Sequence, residues 1–530
     1  MRRWNGWGDD AITYPIPTSA ISFLDRLVGT GKRPKDSGLQ EILPNLPESK
    51  LPKHAMISTD TLTRLLHSRG QSFPDWVNLH SGHINSFTDG VAYPISNENV
   101  TELIDFAQRA GVHLIPYGGG TSVVGHIDPI KSKSPVLTVD MSHMNRLIDL
   151  DKQSLLATFG AGICGPDVEA QLRAHGFTLG HFPQSFEFST LGGWVATRSS
   201  GQQSLLYGRI EGLFSGGRLI TPLGELLLPS FPASAAGPDL REIVLGSEGR
   251  LGILTEACVR IRPIPEHEEF HAVFFPDFQH GVDAVKQILS TGLSLCMLRL
   301  STAHETTTTL ALAGHENLIG ALERLLAIRG LGEGKCMLLL GFAGKSSLVR
   351  TNRSEALNIT AKFGGVHVGK TFGEQWHKNR FRTPYLRNTL WEMGYGVDTL
   401  ETATDWSNTS RMIEQIEAAI QSSMSTFGER VHIFTHLSHV YPYGSSVYTT
   451  YLFRLAADPE QTLTRWQAMK STASQAIIKL GGTISHQHGV GIDHLPYIAV
   501  EKGPLGMATI SALCHQFDPK CIMNPGKLVA

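Results

Sequence analysis

No stretch of the 530-residue chain approaches the ~20 consecutive apolar positions that a membrane-spanning helix needs. The first ten residues carry no apolar core of the kind a secretory leader has. Cysteine is sparse and unpaired. Cys164, Cys258, Cys296, Cys336, Cys514 and Cys521 never form a CxxC pair, which argues against a zinc site or a disulfide framework and predicts reduced thiols in a cytoplasmic compartment. Neither sign of charge dominates: 46 Lys and Arg face 48 Asp and Glu, for a net charge of −2, with no basic stripe. That balance argues against nucleic acid as a partner. Repeats and low-complexity tracts are missing too. What remains, 41% hydrophobic and 18% charged, is the composition of a globular protein with several domains.

Glycine is present in clusters that packing cannot justify. The foremost is Pro116-Tyr117-Gly118-Gly119-Gly120-Thr121-Ser122-Val123. Three glycines in a row cost backbone entropy and suit a tight turn pressed against a ligand. Their successive N–H groups can form a nest for a phosphate; the alternative is a flexible surface loop. Three more stretches combine glycines with small hydroxyls: Pro183, Ser185, Ser189, Thr190 and Gly193 in the first, then Thr197, Arg198, Ser199 and Ser200, and later Ser247, Glu248, Gly249, Leu251, Gly252 and Ile253. Any one could be an ordinary turn. Together they predict a large ligand with a diphosphate and a ring. Gly160-Ala161-Gly162-Ile163-Cys164-Gly165 matches GxGxxG, but no acidic residue follows about 20 positions on, so a Rossmann reading is rejected.

Periodicity predicts an α+β chain. Residues 1–80 read as an arm with short helices. Val100, Leu103, Ile104 and Ala107 give residues 99–110 one helical face, with Asn97 or Asn99 as cap and Gly111 as stop. Strands are expected at 112–115, 136–139 and 155–159, and a helix at 166–174. A second α/β region begins near 267, with a helix at 316–327 and strands at 336–340 and 447–453. If 432–439 is a strand, His432 and His436 share one face and His439 points to the other.

The four loops and the tail Asp518-Pro519-Lys520-Cys521-Ile522-Met523-Asn524-Pro525-Gly526-Lys527 resemble the vanillyl-alcohol-oxidase type of FAD-binding proteins. The resemblance implies a FAD-binding PCMH-type domain over 81–266, a cap or substrate domain over 267–490 and a C-terminal segment, 491–530, that returns to the first. It implies that the glycine loop binds the FAD diphosphate while the other loops line the ribityl chain and the flavin. Relatives that attach FAD covalently use a His where Thr121 stands, so non-covalent FAD is expected.

Further stretches are similar to the members of that family that make the ether bond of ether lipids. They include Trp4-Asn5-Gly6-Trp7-Gly8, Glu401-Thr402-Ala403, Gly444-Ser445-Ser446-Val447-Tyr448 and Ser485-His486-Gln487-His488-Gly489. The implied reaction exchanges the acyl chain of acyl-dihydroxyacetone phosphate for a fatty alcohol, through an adduct at flavin N5. It gives Tyr448 the role of proton acceptor and donor, Arg387 that of phosphate ligand, and places His486, Gln487 and His488 beside the flavin. On spacing alone, Tyr448 also reads as a core aromatic, Arg387 as a salt-bridge partner and the histidines as structural. The departure is Gln487, where those enzymes have the middle of three histidines; an amide cannot carry a proton. The long-chain substrate leaves open loose peripheral contact with a membrane, and a homodimer. The competing expectation is a FAD-linked oxidoreductase acting on a 2-hydroxy acid. Relatives of that kind hold a metal with two histidines and a glutamate; Tyr448 and Gln487 at the corresponding places predict no metal here.

Overall fold

The computed structural model describes residues 2–314 and 316–529. Three sheets organise it. The first has the order Ile57–Ser58, Gly90–Ala92, Val136–Asp140, His113–Tyr117, and its last three strands are parallel. Asn97–Ala110 lies before the edge strand, and Val100, Leu103, Ile104 and Ala107 are buried against this sheet. The cap of that helix differs from the sequence expectation. Ser96 accepts from the N–H of Asn99, so Asn97 is already helical, while Asn99 accepts from the N–H of Ile95. A short hydroxyl beside an extended backbone reaches the free amides best. Gly111 closes the helix in the left-handed conformation.

The second sheet is antiparallel, in the order Leu147–Asp151, Leu156–Gly160, Ile253–Arg260, Phe214–Thr221, Gly224–Leu228. The GxGxxG stretch leaves its second strand. A Cβ on Gly162 would lie 1.6 Å from the carbonyl oxygen of Met141, so this glycine serves close backbone packing.

The third sheet is the largest and is antiparallel throughout: Val366–His367, His267–Phe275, Cys336–Gly344, Met297–Ser301, Val431–Leu437, Gly444–Arg454, Tyr395–Asp405, with Val440–Tyr441 paired beside Gly444–Arg454. Helices Phe278–Ser290, Ser346–Lys362, Trp406–Ser425 and Pro459–Lys479 cover one face through Val282, Val349, Met412 and Trp466. Along His267–Phe275 the alternation is visible: Val273 and Phe275 join that core, whereas Phe270, Ala272 and Phe274 join the cluster on the opposite face. The strand expected over 432–439 stops at Leu437, so His439 lies in the following turn and strand alternation does not set its direction. The N-terminal helices Thr18–Val28 and Phe73–Ser81 pack on this third sheet and its helices; Phe73 and Trp76 belong to its core. The C-terminal tail returns to the first sheet, where Leu114 bridges to Met523.

Candidate functional site

A cavity of about 1100 Å³ opens between the first two sheets and the uncovered face of the third. The strand His113–Tyr117 delivers the glycine loop to its wall, and every residue from Pro116 to Val123 lines it. The close approach is set by the neighbouring loop: a Cβ on Gly119 would lie 1.7 Å from the carbonyl oxygen of Phe188, and one on Gly118 2.2 Å from Thr190 Oγ1. Among the described residues, the backbone N–H groups of Gly119, Gly120 and Thr121 have no hydrogen-bond partner in the chain. Free amides in a glycine loop facing a cavity are what an anion fills. Thr190 caps the helix Leu191–Thr197, and Ser189 accepts from the Trp194 indole at 2.7 Å. Pro183, Ser185, Ser189, Thr190, Gly193, Thr197, Ser199, Ser200, Ser247, Glu248, Gly249, Gly252 and Ile253 all line the same cavity.

Strand register builds the opposite wall. Glu401, Tyr448 and His436 stand directly across from one another on three adjacent strands, so their side chains share one face. The Tyr448 ring stacks on His436 with centroids 4.9 Å apart and meets His488 edge-on at 6.1 Å. His436 Nδ1 lies 2.8 Å from Glu305, which also pairs with Arg299. Burial raises the Tyr448 phenol above its ordinary range, so it rests protonated. The histidines around it supply no positive charge that would favour the phenolate. Burial lowers His436, His488 and His439, the last to about 3, and all three are neutral.

Arg387 stands half-buried in the cavity wall. It lies 4.3 Å over the Trp76 ring and donates through Nη1 to the Gln71 carbonyl at 2.6 Å; its Nη2 has no partner. Burial lowers it to about 10, which keeps it charged.

Glu401 is a hub that sequence reasoning missed as a site residue. Its carboxylate accepts from Gln487 Nε2 at 2.6 Å, and His486 Nδ1 lies 3.2 Å away. His439 and His488 each lie 3.9 Å from it. Against the cost of burial these contacts hold Glu401 below the ordinary carboxylate range. Gln487 also accepts from the Ser200 N–H at 3.2 Å, so the amide ties the third sheet to the loop of Thr197–Ser200. This needs a simultaneous donor and acceptor and no proton transfer. Ligand atoms of Glu401, His439 and His486 approach within 4.8 Å, a grouping that could hold a metal. Arg209 Nη1, an obligate donor, lies 2.6 Å from His486 Nε2, however. That fixes the His486 proton on Nδ1, facing Glu401, and takes Nδ1 away as a ligand.

Three expected site residues stand elsewhere. His486 is behind His439, held by Arg209 and by the Tyr441 hydroxyl at 2.7 Å, and does not line the cavity. Arg198 takes the left-handed C-cap of its helix, and its side chain turns to Glu242 at 2.7 Å on the surface. Leu251 points into the core of the second sheet. Glu248 lines the cavity, but its carboxylate is used by the N–H groups of Val490 and Gly491. Arg209 carried no sequence signal, and Asn524, part of the quoted tail, donates its amide to the carbonyls of His126 and Glu248, a role unreadable in sequence because these partners are remote.

The FAD binding domain family matches residues 88–228, and the family described as FAD linked oxidases, C-terminal domain, matches residues 264–528. The alkyldihydroxyacetonephosphate synthase of Dictyostelium discoideum is 30% identical, over 99% of this chain and 93% of the relative. A solved alkyldihydroxyacetonephosphate synthase superposes with a TM-score of 0.85 at 29% identity, covering 99% of this chain and 98% of that one. The fold alone is shared with p-cresol methylhydroxylase, at a TM-score of 0.67 and 15% identity, covering 89% of this chain and 93% of that one. FAD is the cofactor, and the residues fit it: the unpartnered amides suit a diphosphate, and the cavity is large enough for a dinucleotide. The α+β chain belongs to the FAD-linked oxidase family, in the group of the alkyldihydroxyacetonephosphate synthases.

Proposed function

We propose that this protein exchanges the acyl chain of acyl-dihydroxyacetone phosphate for a fatty alcohol. The exchange breaks the ester C–O bond at the substrate carbon. The acid leaves as a carboxylate, and the alcohol oxygen takes its place and loses its proton. FAD, held without a covalent link because Thr121 is no nucleophile for it, supplies the covalent chemistry at N5. Arg387 carries this reading. It is a cation with a buried, unpartnered Nη2 in the cavity that also holds Tyr448, and a guanidinium fork suits a phosphate. Tyr448 is the proton acceptor and donor at the reacting carbon: the proton that leaves the carbon passes to the phenol oxygen in its deprotonated form and is returned to the same carbon, with no net change at the tyrosine. His488 and the Tyr448–His436 stack hold that ring in place. Gln487 positions the two walls against each other, which is why an amide serves at this point.

The same cavity continues along apolar residues that suit long chains, among them Leu312, Ile319, Leu322 and Phe372. On helix Glu316–Ile328, Leu318 is 69% and Ile328 83% exposed beside that wall. Among the described residues no helix is long and apolar enough to cross a membrane. The exposed apolar residues beside that wall support peripheral contact to a lipid surface. The test is incorporation of labelled hexadecanol into alkyl-dihydroxyacetone phosphate by the FAD-loaded protein given palmitoyl-dihydroxyacetone phosphate. Absence of label from a folded, yellow protein would sink the proposal.

A further inference from the structure

Arg387 is not the lone arginine with a buried, unpartnered nitrogen in the cavity. Arg380 follows the helix Thr371–Asn379 and is 8% exposed. Its Nε and Nη1 are buried without a hydrogen-bond partner, and among the described residues no carboxylate comes within ion-pair distance of it. Other buried arginines each make a hydrogen bond: Arg64 donates to the carbonyls of Thr88 and Pro47, and Arg250, although its Nε is also unpartnered, donates through Nη1 to that of Met523. The nearest acid in the region, Glu268, is already taken by Gln203 at 2.5 Å and by His377 at 3.3 Å. A buried guanidinium with unmade hydrogen bonds is costly unless an anion completes it.

The surroundings narrow the anion. The guanidinium lies 4.9 Å from the Phe182 ring centroid, 4.8 Å from Phe381 and 5.8 Å from Trp376. Rings over the guanidinium centre leave its N–H groups free, which match the two oxygens of a carboxylate. A phosphate dianion would bring twice the charge into an aromatic pocket with Glu268 close by. The aromatic walls suit an apolar chain attached to the anion. Such a ligand is a long-chain carboxylate, and the exchange proposed above releases one.

We propose that Arg380 binds the carboxylate of the fatty acid displaced in the exchange, apart from the phosphate held by Arg387. The choice of ligand rests on the proposed exchange; the binding site does not. The test titrates the FAD-loaded protein with laurate, and separately with dodecanol, following the fluorescence of Trp376 against a Trp376→Phe control. Arg380→Met should weaken laurate at least ~10-fold, as expected for loss of a charge-assisted pair, and leave dodecanol within ~2-fold. Arg380→Lys, which keeps the charge and loses the fork, should fall between and guards against misfolding of the Met variant. Unchanged laurate affinity in Arg380→Met would overturn the proposal. So would equal weakening of dodecanol, which would mean packing, or loss of FAD, which would mean that the arginine serves the cofactor. Laurate bound through Arg380 by a protein that incorporates no labelled alcohol would uphold the carboxylate site while the synthase reading fails.

Discussion

Tyr448 shows how a residue's surroundings set what it can do. Burial keeps the phenol protonated, and the neutral histidines around it supply no countercharge. Tyr448→Phe keeps the ring stacked on His436 and removes only the proton; labelled ether product should fall ~10²–10⁴-fold with FAD content unchanged. Gln487 gives a sharper test. Its amide donates to Glu401 at 2.6 Å. Gln487→Glu sets two buried carboxylates against each other and should abolish exchange and lower the melting temperature. Gln487→His, which can still donate on one side and accept on the other, should keep activity within ~10-fold. If Gln487→Glu were as active as the parent, the bridging role would be wrong.

Loops and helices carry their own predictions. The glycine loop packs on Phe188 so closely that Gly119→Ala must displace backbone, since the new Cβ would sit 1.7 Å from a carbonyl oxygen. The purified variant should be colourless, which absorbance at the flavin band reads directly. The helix Ala303–Leu312 is tied to the strand Val431–Leu437 through Glu305 and His436. Against its burial, Arg299 and His436 hold Glu305 at about 2, below an ordinary value of 4.5. A depressed carboxylate stabilises the fold above its unfolded value and loses that stabilisation as pH falls through the folded one. Stability on the order of 3 kcal/mol should therefore disappear between about pH 4.5 and pH 2. Denaturant melts across this window should show a steeper acid limb in the parent than in Glu305→Gln.

At the scale of the whole molecule, the cavity separates three sheets, so its occupant holds them together. FAD removal should lower the melting temperature, and added FAD should restore it, the unfolding free energy rising logarithmically with concentration by ~2.7 kcal/mol at a hundredfold excess over Kd. A melting temperature independent of FAD would place the cofactor outside the folded core. The cavity is also where distant segments meet: Arg387, Tyr448 and the loop from Pro116 to Val123 are joined by no local pattern.

The sequence by itself determined most of the elements and the glycine-rich loops that line the cavity. A stripe such as Val100, Leu103, Ile104 and Ala107 and a run such as Gly118–Gly120 are local, and local physics reads them. The helix stop at Gly111 was legible for the same reason, and the cap was misplaced by a residue or more because Ser, Asn and Asp compete for it. Only the tertiary structure decided which polar residues face the cavity. The row of Glu401, Tyr448 and His436 depends on strand register, where a slip of one residue turns every side chain to the other face. The same holds for His486 and Arg198, which sit in the right motifs yet turn away, toward Arg209 and Glu242. Their directions follow from partners tens to hundreds of residues distant, and no spacing in a single chain records that.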